Sequence, residues 1–309
     1  MSHDGPMDPA GADTGPTGAY EIDWAEQAGA LRSAADQERE WYAAVTRALV
    51  RTGDRVAVDV GCGGGGMAAA LAAGLAPPSP AESTGLVVAA DGSAEVLAAA
   101  RERLDALPEP RARVAFVLAD LGDGVEALEA YGPADLVWAS ASVHHVGDQQ
   151  AAVTALAALL GPGGRLALAE GGLPTRRLPW DLGVGEPGLE VRLEAAQDRW
   201  FARMRAELPG SVPMPYGWTT ALRRAGLIGV TSHTSLLERP APLSAEDVTR
   251  VVDKLAHRVD WLRPSGLLDA VDLAAWDRLL DQDDPAYLGK RDDLHSLEAR
   301  TVHLGTRTT

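Results

Sequence analysis

Three carboxylates stand at the carboxyl ends of three successive apolar runs: Asp59 in "VAVDVG", Asp91 in "LVVAAD" and Asp120 in "FVLADL". The first run opens into Gly61-Cys62-Gly63-Gly64-Gly65-Gly66, a loop almost without side chains. A strand that ends in such a loop before a helix presents bare backbone N–H groups at a helix N-terminus, which is a nucleotide-type site. Gly61, Gly63 and Gly66 also satisfy G-x-G-x-x-G, a weak signal alone, and Asp91 follows at a spacing that leaves a dinucleotide open. Asp59 points elsewhere. Two residues before the first glycine it would repel a pyrophosphate, whereas it suits a cofactor carrying an amine or a sulfonium. Three acids at three strand ends describe a site for a positively charged, ribose-bearing adenine ligand.

A second group of candidates follows the next two apolar runs. His144 and His145 come after "ADLVWAS", and Glu170 ends "RLALAE". An imidazole near neutral pKa suits a general base, with His145 preferred here, and Glu170 could hold a substrate ammonium or assist a histidine. The single cysteine, Cys62, excludes an internal disulfide and reads as a small residue fitting beneath a ligand. No Cys/His cluster has ligand spacing, so no metal is expected.

The elements that must position these residues alternate. "RVAVDV", "GLVVAAD", "RVAFVLAD", "ADLVWAS" and "RLALAEGG" read as strands, and helical patterns such as "MAAALAAGLA", "SAEVLAAARERL" and "QQAAVTALAALLGPGG" lie between them. Strands of near-continuous Val, Leu and Ala require a sheet covered on both faces, so the fold class is α/β with a doubly wound, mostly parallel sheet. Two further strands, "GVTSHTSLLERPAP" and "ARTVHLGTRT", follow a change of rhythm after Gly172. The expected organisation is a loose leader over 1–18, an N-terminal helical lid over 19–50, and a main domain over 51–309. That domain carries helical cap insertions at about 173–215 and 244–297.

Acidic residues number 44 against 28 basic, a formal net charge of −16. No Lys/Arg block could track phosphates, which argues against a nucleic-acid partner. No segment reads as a signal peptide or a membrane span, so a cytoplasmic protein with no membrane partner is expected. Oligomeric state leaves no signature.

Asp59, Gly61, Gly63 and Gly65 stand as acid-x-G-x-G-x-G, and with Asp91, Asp120-Leu121 and the "LLGPGG" turn they resemble the class I S-adenosylmethionine-dependent methyltransferases. The whole layout is similar to actinobacterial methyltransferases of specialised metabolism. The resemblance implies a Rossmann-like sheet of seven strands with the last antiparallel, and S-adenosylmethionine as cofactor. It implies that the glycine loop contacts the methionine portion, Asp91 the ribose hydroxyls, and Asp120 with Leu121 the adenine, with Ser140 and the lid residue Tyr20 completing the cofactor contacts.

It further implies methyl transfer beside His144 and His145, as an in-line displacement in which the protein aligns the nucleophile and excludes water. Trp24, Trp180, Trp200 and Phe201 are candidate substrate contacts. The expected acceptor is a nitrogen or oxygen of a small metabolite or short peptide. An amine is favoured because Glu170, Asp181, Glu186 and Glu190 outnumber Arg176 and Arg177 around the expected mouth. The competing expectation is a catalytically silent, cofactor-binding regulatory or scaffold protein.

Overall fold

The structure, a computed structural model, describes residues 24–77, 85–109 and 111–309. The expected leader and Tyr20 lie outside the described residues. In chain order the elements are α1 (Trp24–Gln37), α2 (Arg39–Leu49), β1 (Val56–Val60), α3 (Gly66–Gly74), β2 (Leu86–Asp91), α4 (Ala94–Asp105), β3 (Arg113–Leu118), α5 (Glu126–Glu129) and β4 (Ala134–Ser140). They continue with α6 (Gln149–Ala158), β5 (Leu160–Arg176), α7 (Leu189–Glu207), α8 (Trp218–Arg224), β6 (Ile228–Arg239), α9 (Ala245–Leu262), α10 (Ala270–Leu280) and β7 (Ser296–Thr306).

Seven strands form one sheet in the order β3-β2-β1-β4-β5-β7-β6. β1 pairs in parallel with β2 and β4, and β7 runs antiparallel to both β5 and β6, so six strands are parallel and the last is reversed. Order reverses at β1, between β2 and β4, which is the switch point where open α/β sheets bind ligands.

Strand side chains alternate between faces, and the register sorts them into two cores. Val58, Val60, Val88, Ala90, Val137 and Leu168 share one apolar cluster with Val153 of α6 and Leu222 of α8. Ala57, Val87, Ala89, Trp138 and Ala167 share the other with Trp41 of α2, Leu71 of α3 and Leu104 of α4. Helix starts are fixed by short polar caps. Ser93 accepts from the Val96 N–H ahead of α4, and Asp148 from the Ala151 N–H at 2.9 Å ahead of α6.

The two cap insertions meet. α7 from the first and α9 and α10 from the second bury Leu193, Trp200, Leu255, Val259 and Trp276 in a third core. Arg192 seals it with a forked pair to Asp272 at 2.7 and 2.9 Å. The boundaries differ from expectation where glycine and proline obscured them. α6 stops at Ala158, and "LGPGG" already belongs to β5, whose pairing with β4 shifts register there. β5 also runs past Gly172 to Arg176, so Leu173–Arg176 are strand rather than cap. A bulge beside Ala169/Gly172 accommodates the bend, with Gly172 at φ +125° where a Cβ would come 2.3 Å from the Ala299 carbonyl oxygen.

Candidate active site

The glycine loop leaves β1 and enters α3. Gly61, Gly63 and Gly65 have φ of +66°, +52° and +75°, values that only glycine adopts at low cost. The loop is bare largely because the protein itself packs on it. A Cβ on Gly61 would lie 2.4 Å from Ser142 Oγ, one on Gly64 2.5 Å from the Leu31 carbonyl oxygen, and one on Gly66 2.6 Å from the Tyr42 ring. At Gly63 nothing comes nearer than Leu31 Cδ2 at 3.9 Å. Gly64 and Gly66 thus make room for α1 and α2.

α1 is pinned over this loop by a residue that sequence reasoning missed. Arg103 of α4 donates through Nε to the Gly64 carbonyl at 2.7 Å, through Nη2 to the Arg32 carbonyl at 2.9 Å, and through Nη1 to Asp36 at 2.7 Å. One guanidinium joins the loop and α1. Arg103 sits in a charged helical stretch that reads as an ordinary solvated face, and only the tertiary fold reveals its partners.

The three acids surround the loop unequally. Asp59 is 1% exposed and its Oδ2 has no partner. Burial pushes its pKa up to about 7, against a lowering by the Ala68 N–H and with a smaller rise from Asp91. Asp91 accepts from the Gly63 N–H at 3.0 Å and the Ser93 N–H at 3.1 Å, and burial likewise raises its pKa. Asp120 is exposed and accepts from the Gly122 N–H at 2.7 Å, with the half-buried Leu121 beside it. An orphaned, fully buried carboxylate oxygen at this loop leaves an unmet demand for a hydrogen-bond donor or a positive charge.

The end of β4 carries the second half of the site. Ala141 takes φ +49°, and Ser142 Oγ ties the turn to the carbonyls of Ser140 at 2.8 Å and Val60 at 3.2 Å. Glu170 is 1% exposed. Its Oε1 accepts from the Ser142 and Val143 N–H groups at 3.0 and 2.9 Å, and its Oε2 lies 2.5 Å from His144 Nδ1.

Around this pair the structure gathers candidates from distant parts of the chain. The rings of His144 and His145 are 4.1 Å apart, Trp24 meets His145 edge-on at 5.0 Å, and Phe201 meets His144 at 5.4 Å and His145 at 6.1 Å. Burial, then the neighbouring His144 and Arg205, push the His145 pKa down to about 3. Arg205 of α7, also missed from sequence, donates to the carbonyls of His144 and Gly147 at 3.2 and 3.1 Å and to that of Val146, fastening the histidine turn to the cap.

Two aromatic expectations do not join the cluster. Trp200 is 2% exposed and packs at 4.1 Å against a tilted Trp261 ring in the third core, so it is a core residue and not a substrate contact. Trp180 is 68% exposed and lies against Gly188. The acids counted for an amine also lose members. Glu190 is buried and accepts from the Arg177 N–H with both oxygens, at 3.1 and 3.0 Å, and Asp181 accepts from the Gly183 N–H at 2.8 Å. Among the described residues no group of three or more His, Cys, Asp or Glu could hold a metal, and no helix is long and apolar enough to cross a membrane.

A ligand-binding α/β sheet of this order, with a glycine loop and acids at its switch point, defines a nucleotide-cofactor enzyme fold. The methyltransferase domain family matches residues 58–166. The trans-aconitate 2-methyltransferase of Delftia acidovorans is 32% identical over 223 residues, which cover 69% of this chain and 69% of the relative. That of Variovorax paradoxus is 31% identical over 251 residues, covering 76% and 81%. Among solved structures, phosphoethanolamine N-methyltransferase 2 of Haemonchus contortus, in complex with phosphomonomethylethanolamine and S-adenosylhomocysteine, shares 17% identity at a TM-score of 0.45 over 87% of this chain and 53% of its own. The chain belongs to the class I S-adenosylmethionine-dependent methyltransferases, and its cofactor is S-adenosylmethionine.

Proposed function

We propose that the chain transfers the methyl group of S-adenosylmethionine to an oxygen of a small carboxylic acid. The observation that carries this reading is the commitment of Glu170: its oxygens already serve Ser142, Val143 and His144, so the acid beside the histidine pair is not free to hold an ammonium. The names of the relatives support it, because trans-aconitate is a polycarboxylate. This narrows the broader expectation of a nitrogen or oxygen acceptor and turns it away from amines.

When bound, the cofactor supplies an electrophilic methyl on a sulfonium. Asp59, Gly61, Gly63 and Gly65 would hold its methionine portion, Asp91 its ribose, and Asp120 with Leu121 its adenine, while Ser140 shapes the turn beside it and Tyr20 is proposed to cover it. Glu170 fixes the orientation of His144 through Nδ1 and leaves Nε2 for the acceptor. A protonated His144 donates to an acceptor carboxylate, and a neutral one takes the proton of a hydroxyl. That geometry favours His144 over His145, which stays neutral and shapes the cluster. Trp24 and Phe201 wall the histidine pair and exclude water that would compete with the acceptor.

The test is incubation of the purified chain with S-adenosylmethionine and a panel of di- and tricarboxylates including trans-aconitate, primary amines, phenols and short peptides. S-adenosylhomocysteine release should accompany a base-labile methyl ester with the acids. Turnover confined to amines or phenols overturns the proposal. Better turnover of acids on larger scaffolds would place the enzyme in specialised metabolism.

A further inference from the structure

At the end of the lid helix remote from Trp24, the ends of β5 and β6, the start of β7 and α9 enclose a cavity of about 20 Å³. Four cations line it: Arg177, Arg239, Arg250 and Lys254, with Asp247 as the lining acid and Gln37 from α1. Asp247 is spent on Arg250 at 2.6 Å, and Arg239 stays 4.0 Å from it. Lys254 donates to a neutral oxygen, Gln37 Oε1, at 3.1 Å.

Arg177 is 8% exposed and its Nη1 has no hydrogen-bond partner. The Glu190 oxygen 3.6 Å from that nitrogen already accepts the Arg177 backbone N–H. At one cavity, then, a buried guanidinium nitrogen has no hydrogen-bond partner and only a loose ion pair at 3.6 Å, and the Lys254 ammonium meets a neutral oxygen, in a chain with 44 acidic residues and a net charge of −16. Partial desolvation of the ammonium and the adjacent Arg177 push the Lys254 pKa down, against opposing contributions from Glu298 and Glu38.

We propose that this cavity binds one small oxyanion head, a carboxylate or a phosphate, which bridges Arg177 and Lys254 and fastens the lid through Gln37. About 10–15 Å³ accommodates a water, so the space suits a single head group. It is separate from the acceptor site: α1 has 14 residues, which puts Gln37 about 20 Å from the Trp24 that touches His145. The proposal stands on these residues and not on the identity of the acceptor.

Thermal unfolding of the full chain in sodium phosphate, in sodium acetate and in sodium chloride at equal ionic strength tests it. At least one oxyanion should raise Tm by about 2 °C or more over chloride. A shift with phosphate alone names phosphate as the ligand source, and one with acetate alone names a carboxylate metabolite. Lys254→Gln and Arg239→Gln, both at exposed positions, should each lose most of the shift. No shift with either oxyanion, or a full shift retained in Lys254→Gln, overturns the proposal. Cofactor titration in the same buffers reads the methyltransferase site separately.

Discussion

His144 Nδ1 lies 2.5 Å from Oε2 of the fully buried Glu170, whose other oxygen holds two backbone N–H groups of the same turn. One carboxylate therefore sets both the turn and which nitrogen of the imidazole, Nε2, stays free. Glu170→Gln should reverse the donor at Nδ1, lower kcat by up to about 100-fold through misplacement and cost about 1–3 kcal/mol of stability. Steady-state kinetics with thermal unfolding checks this. A kcat unchanged beside a lowered Tm would make Glu170 purely structural.

Asp59 should titrate near neutrality. Its folded pKa, about 7, stands above the ordinary 3.8, so the folded cofactor-free chain keeps a proton that the unfolded chain gives up. Stability should fall as pH rises from about 4 to about 7, and Asp59→Asn should flatten that slope. Binding of the cationic cofactor at pH 6–7 should release up to about one proton, measured as a buffer-dependent calorimetric enthalpy.

His145 works in the opposite sense. Its folded pKa of about 3 lies below the ordinary 6.5, so its contribution is intact above 6.5 and lost as pH falls toward 3. His145→Gln should reduce acid destabilisation in that window while leaving any rate dependence between pH 6 and 8 in place. Unfolding and kcat/KM measured across pH separate the two effects.

Asp91→Ala removes the acceptor of the Gly63 and Ser93 N–H groups along with the proposed ribose contact. Affinity for S-adenosylmethionine should drop by about 2–3 kcal/mol, roughly 30- to 150-fold in Kd. Isothermal titration would remove Asp91 from the site if Kd did not change.

Adjacent residues of α7 should separate structure from function. Trp200→Ala empties the cap core and should cost about 3–5 kcal/mol, while Phe201→Ala, at the histidine cluster, should lower activity with a smaller loss of stability. Likewise Gly64→Ala, whose Cβ would meet α1, and Arg103→Ala should both loosen the lid. Faster proteolysis within 24–37 in both variants is the expected result.

The local pattern of the sequence determined the sheet and the three acids at its edge. Near-continuous apolar runs such as "VAVDV" and "LVVAAD", punctuated by glycine, set strands and loop without knowledge of any partner, and Asp59, Asp91 and Asp120 fall at or near the strand ends by count alone. Boundaries built from glycine and proline were less legible, because "LGPGG" breaks a helix and yet can enter a strand as a bulge, which pairing with β4 decides. Trp200 and Phe201 show what a sequence leaves open. Both fit an apolar pattern, but neighbours on a helix point about 100° apart, and only the packing of α9 and α10 put one in the core and the other against His144. The partners of Arg103, Arg205 and Glu190 were settled in the same way, since a charged side chain acquires its role from backbone carbonyls and amides brought near by tertiary folding, and no spacing along the chain encodes them.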